Sequence, residues 1–115
     1  MPALKDRELV QKICEDLLND KITNYSDIQS LWQKHEIRNK FLEEILYSTA
    51  EFFVGRDIYR EKEKFESSDE YLCVYVGYQL LNRIADLDKA QAVYKEILQK
   101  KNLTKEKVDK YITKI

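Results

Sequence analysis

Apolar residues recur along this chain at spacings of three and four, broken by short polar stretches, and that pattern predicts a succession of amphipathic helices. Leu9, Val10, Ile13, Cys14, Leu17 and Leu18 share one face of a first helix from about Ala3 to Asn19. Asn24 or Ser26, the latter in a capping-box pattern with Gln29, starts a short second helix with Ile28, Leu31, Trp32 and His35 on one side. A third helix spans roughly Arg38 to Val54, and its broad stripe of Phe41, Leu42, Ile45, Leu46, Thr49, Phe52 and Phe53 calls for burial on two sides. Gly55 leaves continuation, a kink and a break all open. From Arg56 to Glu66 the apolar pattern thins, as in a solvent-facing helical extension held by i,i+4 charge pairs.

The sharpest boundary is Ser67-Ser68-Asp69-Glu70, which offers capping hydroxyls followed by negative charge for the positive end of a helix. The helix it opens, about Asp69 to Ala85, is apolar around most of its circumference: Tyr71, Leu72, Val74, Val76, Leu80, Leu81 and Ile84 point in several directions. Such a segment is expected at the centre of the fold, with Gly77 allowing a neighbour to approach closely. Asp86 or Asp88 then caps a helix to about Lys101, with Ala90, Val93, Tyr94, Ile97 and Leu98 inward and Asn102 as a stop. Thr104 opens a last helix carrying Val108, Tyr111, Ile112 and Ile115 on one face. Short connections favour antiparallel neighbours, so the expected fold is all-α, a compact bundle of five or six antiparallel amphipathic helices.

Composition narrows this picture. At 115 residues, 43% hydrophobic and 36% charged, the chain suits one helical domain over residues 1–115, and two Gly with one Pro leave little to punctuate strands. The first twenty residues lack the apolar run of a secretory leader, and no stretch reaches the length of a membrane span, so a cytoplasmic protein with no membrane role is expected. Cys14 and Cys73 stand apart without a second pair and read as buried thiols in a reducing compartment.

Chemistry-bearing motifs are missing: the chain has no His-Glu-x-x-His, paired cysteines, phosphate-cradling glycine loop or Gly-x-Ser-x-Gly elbow. His35 is the single histidine and sits at helical spacing from Ile28, Leu31 and Trp32, a packing position. Glu43, Glu44 and Glu51 lack the Glu-x-x-His partner of helical di-metal sites, and Asp86 with Asp88 is accounted for by helix capping. No catalytic residue, metal ligand or cofactor is therefore assigned.

Two binding readings remain. Tyr71, Tyr75 and Tyr78, at i, i+4 and i+7, place three rings along one helix face with Phe65 near them, and tyrosine suits interfaces that need apolar area and a polar tip together. The first reading is thus a non-catalytic adaptor, inhibitor or regulatory subunit that binds another protein or copies of itself. The alternative is a helix-turn-helix regulator of nucleic acid, with Arg38, Asn39 and Lys40 leading the recognition helix and Lys100 and Lys101 assisting, joined by Lys105 and Lys107. Residues 89–115 hold 8 basic against 3 acidic side chains and residues 1–88 hold 12 against 18, so a basic end sits on an acidic body. Against this alternative stand Glu36, Glu43 and Glu44, which repel phosphate, the absence of arginine in the basic end, and a turn without glycine. The spacing of Gly77-Tyr78 with Ala90, Tyr94 and Ile97 resembles a tetratricopeptide hairpin. It has one extra residue between Gly77 and Ala90 and no second copy at the repeat period, so it implies hairpin packing and no ligand residues.

Overall fold

Helices in this protein begin where a polar side chain takes over an orphan backbone N–H. Asn39 Oδ1 accepts from the amides of Phe41 and Leu42 at 2.9 and 3.2 Å, and Ser68 Oγ accepts from Tyr71 at 3.2 Å. Asp86 Oδ1 accepts from Asp88 and Lys89, and Thr104 Oγ1 from Lys107. The computed structural model describes residues 2–19, 21, 26, 29–30, 37–56 and 66–115. Among these, five helices and no strand are found: α1 (Pro2–Leu18), α2 (Lys40–Arg56), α3 (Asp69–Arg83), α4 (Leu87–Leu98) and α5 (Lys105–Thr113). Most of the predicted second helix, including Trp32 and His35, and the extension over 57–65 lie outside the described residues; Ser26, Gln29 and Ser30 of that segment are helical.

The all-α bundle is therefore observed, and α3 is its hub, packing on α1, α2, α4 and α5. Its nearly all-round apolar surface requires that position, because a helix buried on one side only would leave Val74, Val76, Leu80 or Leu81 in water. All four of those side chains are fully buried. One contiguous apolar cluster draws on every helix, from Val10, Ile13 and Leu17 through Phe41 and Ile45 to Tyr94, Val108 and Ile112. The radius of gyration, 13.6 Å, is that of a compact chain of this length, about 13 Å for 100 residues.

Side-chain contacts set the helix directions. Ile45 meets Gly77 and Phe52 meets Tyr71, so α2 runs antiparallel to α3. Arg7 and Gln11 near the start of α1 reach the carbonyls at the end of α3, so α1 is antiparallel to it as well. Tyr75 meets Asp109 while Arg83 reaches the carbonyl of Ile112 at 3.4 Å, so α5 runs in the same sense as α3. α4 lies between them in the chain, so two successive reversals restore the original direction, as short connections between antiparallel neighbours imply.

Several boundaries shift. α2 starts at Lys40 because Asn39 is its cap, and its backbone stays helical through Gly55 to Arg56. α3 ends at Arg83, where Ile84 turns extended (φ −117, ψ 118) yet remains buried. α4 stops at Leu98, earlier than the predicted Lys101, and the turn to α5 passes through Asn102 in a left-handed conformation (φ 56). Ile115, expected on the inner face of α5, is 50% exposed. Among the described residues no helix is long and apolar enough to cross a membrane.

Candidate functional site

The three tyrosines of α3 share a face but not an environment. Tyr71 is 8% exposed, with its ring 5.8 Å from that of Phe52 on α2. The expectation that it lines a surface is thereby corrected: Tyr71 belongs to the core edge because α2 passes over it. Tyr75, one turn on, is half-buried and is held from several directions. Its ring lies parallel to Tyr71 (centroids 6.3 Å apart, 9° between planes). Its hydroxyl donates to Asp109 Oδ1 on α5, and the Lys105 ammonium sits 5.3 Å from its ring centre. Burial first, then the neighbouring Asp109 carboxylate, push the Tyr75 phenol up to about 12. Tyr78 is partly exposed and packs against the core cluster. Phe65 lies outside the described residues.

The residues of the nucleic-acid reading divide similarly. Arg38 and Lys40 are exposed at the start of α2, but the side-chain oxygen of Asn39 between them is committed to capping that helix. Lys100 and Lys101 are exposed in the α4–α5 turn, and the Lys100 ammonium lies 4.8 Å from the ring centre of Tyr111. Lys107 donates to the carbonyl of Asn102 at 3.0 Å, and Lys105 is engaged with Tyr75. The preceding helix of the helix-turn-helix pattern falls largely outside the described residues.

Both cysteines are unpaired in disulfides. Cys14 is sealed in the core, where burial pushes its thiol up to about 12 against an opposing hydrogen bond with Thr49. Cys73 is only half-buried, in contrast to the expected full burial. Burial raises its thiol too, Tyr94 and Ser48 oppose this through hydrogen bonds, and the charges of Asp69 and Glu70 add to it. It borders an open cleft of about 520 Å³ between the first turn of α3 and the α4–α5 turn, with Leu72, Leu98 and Leu103 among its lining and Asp69 and Lys100 at the same opening. Sequence reasoning missed this cleft, since it exists only because the turn around Asn102 folds back beside the start of α3. Among the described residues no group of three or more His, Cys, Asp and Glu side chains is placed to hold a metal ion.

Comparison of the chain with protein-family models, with curated proteins and with solved structures gives no match.

Proposed function

We propose that this protein is a non-catalytic, cytoplasmic binding module, an adaptor, inhibitor or regulatory subunit, that engages another protein through the Tyr75–Tyr78 edge of α3. The observation that carries this reading is the constraint on Tyr75. Its ring is stacked on Tyr71, tied through its hydroxyl to Asp109 and flanked by Lys105, yet it remains partly exposed. An aromatic side chain already held in place loses little rotamer freedom on binding, which is what distinguishes an interface anchor from a loose surface ring. Neither cysteine is suited to act as a nucleophile. Both thiols are pushed upward, away from the thiolate form a nucleophile requires.

The test is capture of partners from native lysate on the tagged protein, with and without nuclease, followed by affinity measurements on the purified partner with Tyr75→Ala and Tyr78→Ala variants. A stoichiometric protein that survives nuclease, and whose affinity falls at least about tenfold in the variants, supports the reading. Unchanged affinity in both variants overturns the surface. Recovery of nucleic acid alone, lost with nuclease and at high salt, favours instead the exposed cations Arg38, Lys40, Lys100 and Lys101.

A further inference from the structure

The outer faces of α2 and α5 carry charge patterns of opposite sign at the same spacing. On α2, Glu44, Tyr47 and Glu51 stand at i, i+3 and i+7, all exposed, and Tyr47 at 54% is one of two exposed large apolar side chains among the described residues. On α5, Lys107, Lys110 and Lys114 stand at i, i+3 and i+7 and are likewise exposed. Lys114 is the helix C-cap with right-handed helical backbone angles, so it stays in register. Each outer pair of charges is seven residues apart, about 10.5 Å along a helix axis. Glu44, Glu51, Lys110 and Lys114 make no ion pair among the described residues, and Lys107 bonds only a backbone carbonyl there.

We infer that the Glu44–Tyr47–Glu51 face of one copy docks the Lys107–Lys110–Lys114 face of a second copy. Each pattern steps by three and then by four residues, so all three pairs match in register when α2 and α5 run in the same direction. The carboxylates of Glu44 and Glu51 then meet the outer lysines, and the Lys110 ammonium meets the ring of Tyr47, a cation–π contact. The net charges of the two parts, 12 basic against 18 acidic over 1–88 and 8 against 3 over 89–115, favour the same approach of basic end to acidic body. Exposed ion pairs are individually weak, so the association is reversible and salt-sensitive. None of these residues belongs to the Tyr75–Tyr78 edge, so the two proposals fail independently.

Sedimentation velocity of the full chain tests this, at protein concentrations up to about 1 mM and at low and high salt, about 50 and 500 mM. The expected result is self-association that weakens at least about tenfold at the higher salt. Glu44→Lys/Glu51→Lys and Lys110→Glu/Lys114→Glu variants should each be monomeric, and mixing the two should restore a complex because both faces again meet their opposites. Helicity measured by circular dichroism should be unchanged, since Lys and Glu are both good helix formers at exposed positions. A Glu8→Lys/Glu15→Lys variant, which places the same charge change on the exposed side of α1 and leaves both faces intact, should still self-associate at low salt. A monomeric parent at low salt, association that survives either reversal, or equal loss of association in the α1 control would each overturn the inference.

Discussion

A Cβ placed on Gly77 would lie 2.8 Å from both Cδ1 and Cγ1 of Ile45, closer than carbon atoms can pack. Here α2 packs closely on the hub helix, and the contact sets opposing effects against each other. Gly77→Ala gains about 1 kcal/mol of helix propensity, while forcing Ile45 aside in a fully packed core costs about 1–3 kcal/mol. Gly77→Ala is expected to destabilise the parent by up to about 2 kcal/mol, and to become stabilising when Ile45→Ala has opened the space. Urea melts of the four proteins in this cycle check it. Stabilisation by Gly77→Ala in both backgrounds would show that the approach is looser than described.

Arg7 closes the far end of α3. Its guanidinium donates to the carbonyls of Ile84 and Ala85, both at 2.7 Å, and to that of Leu81, where the helix presents orphan acceptors and the negative end of its dipole. Gln11 adds a bond to Leu81 at 3.0 Å. Arg7→Ala is expected to cost about 1–2 kcal/mol. Arg7→Lys should recover less than half of that, because a single ammonium cannot span three carbonyls as a planar fork does. Thermal melts of the two variants measure this, and a loss below about 0.3 kcal/mol for the alanine variant would reduce the contact to surface decoration.

Stability should decline in alkali. The Cys14 thiol rises from 9.0 to about 12 and the Tyr75 phenol from 10.0 to about 12, both chiefly by burial, and Tyr94 moves in the same direction for the same reason. A group whose folded value lies above its unfolded value contributes stability that is fully present below the unfolded value. That contribution is lost as pH rises through the folded one, because the unfolded chain releases protons that the folded chain retains. Denaturation midpoints are therefore expected to hold up to pH about 9 and to fall between about 9 and 12. Tyr75→Phe should make the decline shallower above pH about 10. A midpoint independent of pH over that window would contradict the burial of these groups.

Asn102 carries the positive-φ backbone of the α4–α5 turn (φ 56), a conformation that costs most side chains about 1–2 kcal/mol. Asn102→Ala should destabilise by about 1 kcal/mol, and Asn102→Gly should stay within about 0.5 kcal/mol of the parent. Since the turn borders the cleft beside Cys73, the alanine variant should also alter the rate at which that thiol is alkylated. Equal stability of the alanine and glycine variants would remove the left-handed turn from the account.

Helix identity was legible because the signals are local. Apolar spacing of three and four, together with capping side chains at Ser68, Asp86 and Thr104, act within a few residues, and each cap appears where those side chains promise it. The central place of α3 was readable too, since apolar side chains around a whole circumference can be covered only by neighbours on several sides. The site was less legible. Tyr71, Tyr75 and Tyr78 are equivalent by helical spacing, and only the path of Phe52 over Tyr71 and the placement of Asp109 and Lys105 beside Tyr75 make one a core ring and another a half-buried, tethered one. Asn39 shows the same ambiguity at a helix start, where an amide can cap a helix or reach a base, and here it caps. The Arg7 clamp joins residues more than seventy positions apart. The sequence by itself determined the five described helices and, to within a residue or two, their starts, since those interactions are short-range. The tertiary structure alone decided which faces meet, because burial is settled by neighbours distant in the chain.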